Sequence, residues 1–448
     1  MTYELLAAAI RDTAAKGDLE SLRAFIAAEH PADLALFLGG LGPREAWAVL
    51  DLLPLDEQAA VFGYFDHDFQ VALAAAAPRP RLAAVVTEMN SDERADLFNK
   101  LSSAQQEALL PALAQAERED IRRMASYAEH TAGAIMTSDY ATLTEDLTAS
   151  EALEKLRQEA LDKETIYRTY VIDAARRLIG SVRLQDIILS PPGARVADIM
   201  ERNTLAIPVT EDQEEVGRRV ARYDMLALPV VDGAGRLVGI VTHDDAMDVV
   251  QQEATEDFHR VGGAGVLPSL RDAGIFMLYR ARIVWLVLLV FGNIFSGAGI
   301  AYFEDTITAY VALVFFLPLL IDSGGNAGSQ SATLMVRSLA TGDVRLTDWS
   351  RMLSREVAVA LLMGVTMALA VSLIGVMRAG PEIALVVASS MVIIVIVGSL
   401  IGMTLPFVLT RLKLDPATAS APLVTSIADA AGVLIYFAIA TAFLIPAA

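Results

Sequence analysis

Hydrophobic positions change their pattern twice along this chain. Up to about residue 130, apolar residues recur at helical spacing, as in Asp33-Leu34-Ala35-Leu36-Phe37-Leu38 and Asp96-Leu97-Phe98-Asn99-Lys100-Leu101, with few strand signals. Gly39-Gly40, Pro54, Pro78, Pro80 and Pro111 break this pattern and predict many short helices in an array, an all-α superhelical domain over 1–130. From Ala134 short apolar runs alternate with turns. From Ile275 onward long apolar runs take over.

The middle region contains an internal repeat. Tyr170-Val171-Ile172-Asp173 is followed by the segment from Arg177 to Ile188. Pro229-Val230-Val231-Asp232 is followed by the segment from Arg236 to Met247. Val171/Val230, Asp173/Asp232, Gly180/Gly239 and Asp186/Asp245 keep one constant spacing. Each copy reads strand, turn, strand, helix. The pattern resembles a tandem pair of CBS domains, small α/β modules that bind adenosine ligands and regulate attached proteins. The expected boundaries are 131–196 and 197–250. The family's Thr/Ser-x-x-Asp ribose-phosphate pattern is met by Thr242 and Asp245, whereas the first copy has Arg183 at the hydroxyl position.

Five apolar stretches mark the last region: Ile283–Tyr302, Ile307–Ile321, Val357–Met377, Ile383–Leu409 and Leu423–Ile445. Most approach or exceed the ~20 residues that cross a bilayer core. The second runs into Asp322-Ser323-Gly324-Gly325-Asn326, then Gln330 and Ser331, and reads as a helix that is either broken or faces other helices. Arg271, Arg280 and Arg282 precede the first stretch; Arg337, Arg345, Arg351 and Arg355 lie between the second and third; Arg411 and Lys413 precede the fifth. Basic residues favour the cytoplasmic side. The expectation is a multi-pass protein of the cytoplasmic membrane, N-terminus inside and C-terminus outside, with a five-helix transmembrane domain over 271–448.

Charge sharpens the division. Residues 271–448 hold equal numbers of acidic and basic groups, so the net charge of −20 lies entirely in 1–270. Such a surface repels nucleic acid and attracts cations. Without cysteine there are no disulfides, thiolate metal sites or thiol nucleophiles. The N-terminus lacks a basic segment followed by an apolar core, so no cleavable signal is expected. No nucleophile–base pattern or Walker loop appears, which argues against an enzyme and against an ATP-driven pump.

An ionisable group inside a span is costly and is a functional hypothesis by default. Asp429 qualifies, surrounded by apolar residues, and so does Asp322. A carboxylate there without a basic partner needs a cation, a proton or water. Gly324, Gly325 and Gly328 either expose carbonyls to a hard cation or permit close helix packing. A protonated helix–helix hydrogen bond is the structural alternative for Asp429.

The run Leu317-Pro318-Leu319-Leu320-Ile321-Asp322-Ser323-Gly324-Gly325-Asn326-Ala327-Gly328, the later Arg337–Asp343, and Asp415-Pro416-Ala417 through Asp429 resemble the MgtE family of magnesium channels. Met89–Leu97 and Thr131–Thr137 resemble its cytosolic part. The resemblance spans essentially the whole chain. It implies a homodimer whose fifth helices line a pore, with Asp429 at the pore aspartate holding hydrated Mg²⁺, and Asp415 near the cytoplasmic mouth. Asp322, Gly325, Asn326, Gly328 and Ala428 are the further pore-lining candidates. It also implies a long connecting (plug) helix, about Asp245 to Leu267 by the family pattern and 251–270 as a domain. Regulatory Mg²⁺ is expected on Asp92, Asp96, Asp212, Glu214, Asp224, Asp245, Asp248, Glu253, Glu256 and Asp257. ATP is the nucleotide candidate at the CBS pair. Some members carry Asn where this chain has Ala421, so ligation by that side chain is absent.

Clustered carboxylates repel until a cation bridges them. High Mg²⁺ is therefore expected to draw the acidic domains together and close the channel. Two other readings stand beside this one: an exporter or coupled transporter of divalent ions such as Co²⁺, and a membrane-anchored nucleotide or metal sensor. All five histidines (His30, His67, His130, His243 and His259) lie in the cytosolic half, which disfavours a carrier of soft metals.

Overall fold

A computed structural model of the chain describes residues 28–160, 163–265 and 273–445, together with Arg23 and Ile26. The fold divides into two units, residues 1–250 and 251–448.

From Pro31 the first unit runs through short helices: α1 (Pro31–Leu38), α2 (Pro43–Leu50), α3 (Leu55–Gly63), α4 (His67–Ala76), α5 (Arg79–Glu88), α6 (Ser91–Lys100), α7 (Ser103–Leu109) and α8 (Gln115–Met124). Pro31, Pro43 and Pro80 sit in first turns, where a missing N–H costs nothing. Of the prolines that interrupt the sequence pattern, Pro54 and Pro78 are the N-caps of α3 and α5, and Pro80 lies in the first turn of α5. Each helix packs on the next but one: α1 on α3, α2 on α4, α3 on α5, α4 on α6 and α5 on α7. This is the expected array. Its core holds Phe37, Trp47, Phe62, Leu73 and Val85. Trp47 donates its Nε1–H to the Leu73 carbonyl (2.9 Å), and the Arg81 guanidinium lies 4.1 Å from the Trp47 ring centre.

Two α/β repeats follow. The first comprises β1 (Tyr140–Leu143), α9 (Ala149–Glu159), β2 (Thr165–Ile172), β3 (Leu178–Arg183) and α10 (Leu184–Leu189); a one-turn helix α11 (Val196–Ile199) follows it. The second comprises β4 (Ile207–Pro208), α12 (Gln213–Tyr223), β5 (Ala227–Val231), β6 (Leu237–Thr242) and α13 (His243–Val261). Each sheet has one parallel and one antiparallel pairing. The residues that betrayed the repeat are cross-strand partners: Val171 faces Gly180, and Val230 faces Gly239. Asp173 Oδ1 accepts the N–H groups of Ala175 and Arg177 (both 2.8 Å), and Asp232 Oδ1 accepts those of Ala234 and Arg236 (both 2.9 Å). Both turns need a left-handed residue, Arg176 (φ 62°) in one and Gly235 (φ 75°) in the other. The two turns then meet edge to edge, Leu178 N–H to Gly235 O and Leu237 N–H to Arg176 O.

Helix α13 does not stop at the end of the repeat. It runs as 19 residues to Val261, so its C-terminal part belongs to the second unit. Beyond Gly265 the expected plug segment lies partly outside the described residues.

The second unit consists of α14 (Ile275–Gly292), α15 (Ile294–Tyr302), α16 (Glu304–Ala309), α17 (Ala312–Ala340), α18 (Trp349–Ala379), α19 (Pro381–Arg411) and α20 (Ala421–Leu444). Among the described residues five stretches are long and apolar enough to cross a membrane, with α14 and α15 together making the first. Of the two readings for the second span, the structure adopts the unbroken one: α17 continues through Gly324, Gly325 and Gly328 for 29 residues. Gly324 and Gly328 face α19, whereas Gly325 faces α20. A Cβ on Gly328 would lie 2.7 Å from the Gly398 carbonyl oxygen, and Cβ atoms on Gly398 or Gly402 would fall onto the carbonyls of Gly324 and Gly328. Apolar association gains little in lipid, so such backbone contact is what holds spans together. Tyr436 on α20 adds a bond, donating its hydroxyl to the Leu313 carbonyl (3.0 Å).

Candidate ion pathway and acidic seam

The fifth span presents Asp429 on the side of α20 that meets α17. Its Oδ1 is buried without a hydrogen-bond partner, and a Cβ on Gly325 would come within 3.3 Å of it. Glycine at 325 lets the helix backbone approach both the carboxylate and Thr425, whose Cγ2 a Cβ would meet at 2.9 Å. Asp322 is its acidic neighbour, and Asn326 donates Nδ2–H to Asp322 Oδ2 (3.1 Å). No Lys or Arg occurs in the fifth span, and the second has Arg337 alone, near its C-terminal end.

Two further side chains join this track. Ser329 and Thr425 hydroxyls are 3.0 Å apart, and both reach the Ala421 carbonyl oxygen, at 3.3 and 2.9 Å. Thus, where the Asn side chain is missing, a backbone carbonyl and two hydroxyls stand one to two turns below Asp429. Sequence reasoning missed Ser329 and Thr425; the period of four in Ala421, Thr425 and Asp429 was the available signal. Asp322, Asn326, Gln330 and Thr333 are exposed at helical spacing along α17. Ala428, by contrast, is buried against its own helices, and Gly328 belongs to the glycine contact with α19.

Asp415 caps the turn Pro416–Thr418, accepting the Ala417 N–H at 2.8 Å. It also forms an ion pair with Arg260 of α13, which in turn reaches Glu256 (3.2 Å). Glu253 and Asp257 occupy the same helix.

In the first unit the start of α6 docks on the first repeat. Ser91 Oγ and Thr137 Oγ1 are 2.9 Å apart, and Ser91 N–H reaches Asp139 Oδ2 (3.2 Å). Asn90 donates to Glu164 Oε1 (3.2 Å). Arg94, almost fully buried, stands 3.7 Å from both Asp120 and Asp139. This docking gathers carboxylates. Burial, with Glu93, Glu164 and Asp96 nearby, pushes the Asp92 carboxyl up to about 8. Burial also raises Glu93, then helped by Glu164, and Glu164, then helped by Asp245, each to about 7. Asp245 rises to about 7 through burial and the Asp92 charge. Asp92 Oδ1 and Glu164 Oε2 are buried without hydrogen-bond partners.

Of the sequence candidates, the seam therefore brings together Asp92 and Asp245. Asp96 follows one turn along α6 and is exposed, with His67 and Lys100 as neighbours. Asp248 is one turn along α13 from Asp244. Asp212 is the N-cap of α12, Asp224 its left-handed C-cap, and Glu214 pairs with Arg218. The seam adds Glu93 and Glu164, which no local pattern marks, because their partners are distant in sequence. Among the described residues no three His, Asp or Glu side chains converge as a ready-made metal site. Asp245 also accepts the hydroxyl of Thr242. The equivalent pair in the first repeat is an arginine fork, Arg183 to Asp186 at 2.7 and 2.9 Å.

The chain matches family models for the MgtE intracellular N domain over 29–130, for the CBS domain over 132–192 and 196–252, and for the MgtE divalent cation transporter over 317–439. It is 39% identical over 444 residues to the magnesium transporter MgtE of Thermus thermophilus, covering 98% of each chain. It is 32% identical over 445 residues to the MgtE of Bacillus subtilis, covering 99% of this chain and 98% of that one. A crystal structure of the cytosolic domain of the Mg²⁺ channel MgtE in complex with ATP superimposes with a TM-score of 0.52 at 36% identity, covering 54% of this chain and 99% of the other. The soluble part of a magnesium transporter gives 0.53 at 30% identity, covering 56% and 100%. With full-length identity at this level and every part in the same order, the chain belongs to the MgtE family, a family of membrane transporters.

Proposed function

We propose that this protein carries Mg²⁺ into the cell as a selective channel through the cytoplasmic membrane, and that Mg²⁺ on its acidic cytosolic domains closes it. The observation that carries the reading is Asp429: a carboxylate in a membrane span, one oxygen buried and unpartnered, with glycine before it and no basic group in its helix. Mg²⁺ gives up its water reluctantly. A carboxylate reinforced by hydroxyls and a carbonyl suits an ion that passes with its water shell. Such a site needs no soft ligand and no nucleotide hydrolysis, so the protein acts as a channel and not as an enzyme.

The exposed polar stripe from Asp322 to Thr333 supports a homodimer, since polar groups facing lipid are strongly disfavoured. A second copy would turn that stripe toward a shared aqueous path. The arginine-rich loops support a cytosolic N-terminus and an external C-terminus.

For the sensor, the hard oxygen donors of Asp92, Glu93, Glu164 and Asp245 suit Mg²⁺. Their separation suits ions bridged through water, which relieve repulsion as they bind. The remaining candidates on α12 and α13 would add weaker sites. Together these must favour the closed state by roughly 5 kcal/mol to turn a mostly open gate into a mostly closed one. The division of labour we infer is helical sensor in 1–130, nucleotide-binding repeats in 131–196 and 197–250, plug in 251–270 and pore in 271–448. ATP is assigned to the second repeat, where Thr242 and Asp245 are paired. The arginine fork fills the equivalent place in the first.

Electrical recording from liposomes containing the purified protein tests this. A Mg²⁺ current is expected that falls as Mg²⁺ is added on the cytosolic side and is lost in Asp429→Ala. A current that survives that substitution unchanged overturns the pore assignment, and indifference to cytosolic-side Mg²⁺ overturns the gating model.

A further inference from the structure

The end of the connecting helix α13 is fastened to the second unit by a fixed charge. Val261 packs on Val336, Ala417 and Ala419. One residue earlier, Arg260 reaches across to Asp415 on the turn before the fifth span while also holding Glu256 on its own helix. Glu256 is only 12% exposed at its side chain. Gly263, at φ 69°, lets the chain turn against Trp285 and Pro422, where a Cβ would come within 2.8 Å of the indole.

We propose that Arg260 is a positioning residue of the gate: its guanidinium, set between Glu256 and Asp415, latches the connecting helix to the mouth of the fifth span without any metal ion. Two carboxylates facing each other across this contact would repel. A divalent cation would relieve that repulsion, but only when bound. Arginine relieves it at every Mg²⁺ concentration, because its charge is permanent and its planar fork addresses two oxygens at once. The latch sets the gate's resting bias, and Mg²⁺ works on top of it. With Arg260 in place the trio carries one net negative charge; without it the two acids become a better divalent site. Removing the arginine therefore loosens the metal-free state and widens the response to Mg²⁺.

This inference rests on the channel reading above, and two measurements on the full-length protein separate their failures. In liposome recordings, Arg260→Gln is expected to raise the Mg²⁺-free open probability about three- to tenfold. Current per open channel stays unchanged, and Arg260→Lys restores most of the resting closure. An unchanged Mg²⁺-free open probability in Arg260→Gln, beside a wild type that does close with Mg²⁺, overturns the latch while sparing the channel. Hydrogen exchange in chelator, which needs no current, reads the same contact. The amides of the last turn of α13 are expected to exchange several-fold faster in Arg260→Gln than in wild type and Arg260→Lys. Equal exchange in all three overturns the latch whatever the recordings show.

Discussion

The acidic seam of the first unit and the carboxylate of the fifth span answer one problem, holding negative charge away from water, in opposite ways. In the seam Asp92, Glu93, Glu164 and Asp245 share the burden, and each is pushed toward its protonated form by burial and by the others. In the membrane one carboxylate, Asp429, stands with a single acidic neighbour against a glycine backbone. A group of acids that is uncomfortable when ionised is a graded sensor, because each cation relieves part of the strain. A lone acid in a rigid cleft is a fixed station. The contrast lies in the supports: hydrogen-bonded loops and helix starts around the seam, and backbone-to-backbone glycine packing around the station.

The sharpest way to break this comparison is to remove the rigidity. Gly402→Ala sets a methyl group onto the Gly328 carbonyl and is expected to cost about 2 kcal/mol or more of bundle stability. Gly432→Ala meets nothing nearer than Ile394 at 3.6 Å and should be nearly neutral. Thermal unfolding in detergent compares the two; equal midpoints would mean that the glycine contact is not what supports the station.

A smaller effect is expected from the seam. Its carboxyls titrate above their ordinary values, so the folded protein holds protons that the unfolded chain has lost. Stability in Mg²⁺-free buffer should then be greatest on the acid side and fall as the pH rises toward about 7–8. Asp92→Asn removes one repelling charge. At neutral pH it should raise the Mg²⁺-free unfolding midpoint, by about 1–2 kcal/mol in stability, and shrink the further rise that Mg²⁺ produces. A flat pH profile for the wild type would show that the acids are not strained. The smallest effect concerns the repeats: Thr242→Ala should weaken ATP binding about tenfold, one hydrogen bond's worth, and Arg183→Ala should leave it unchanged. Calorimetric titration distinguishes them.

Much of this architecture is legible in sequence because it is written in local periodicity. The repeat spacing marks residues that become cross-strand neighbours, and the alternation of basic loops marks five spans. The first span shows where periodicity fails. Its apolar run suggests one helix from Ile283, whereas helix begins at Ile275, carries Arg280 and Arg282 within it, and breaks at Asn293. Long side chains can keep their charges near the interface while the backbone stays helical, so charge misplaces the boundary. The second span hides its answer differently. Its glycines permit either a break or a close contact, and only the matching Gly398 and Gly402, more than seventy residues later, decide for contact. Asp92 and Asp245 could be named from resemblance, but Glu93 and Glu164 complete the seam through docking that no local signal encodes. The resemblance places Asp415 near the cytoplasmic mouth, and its arginine partner lies too far back in the chain for spacing to reveal it.

The glycine contact between the second and fourth spans also sets what can move. With carbonyl oxygens of one helix lying where the other has no side chain, the pair forms a single stave. Sliding one past the other would drive side chains such as Ile394 into peptide groups. The pair therefore moves as one body, and any widening of the path falls to the elements around it.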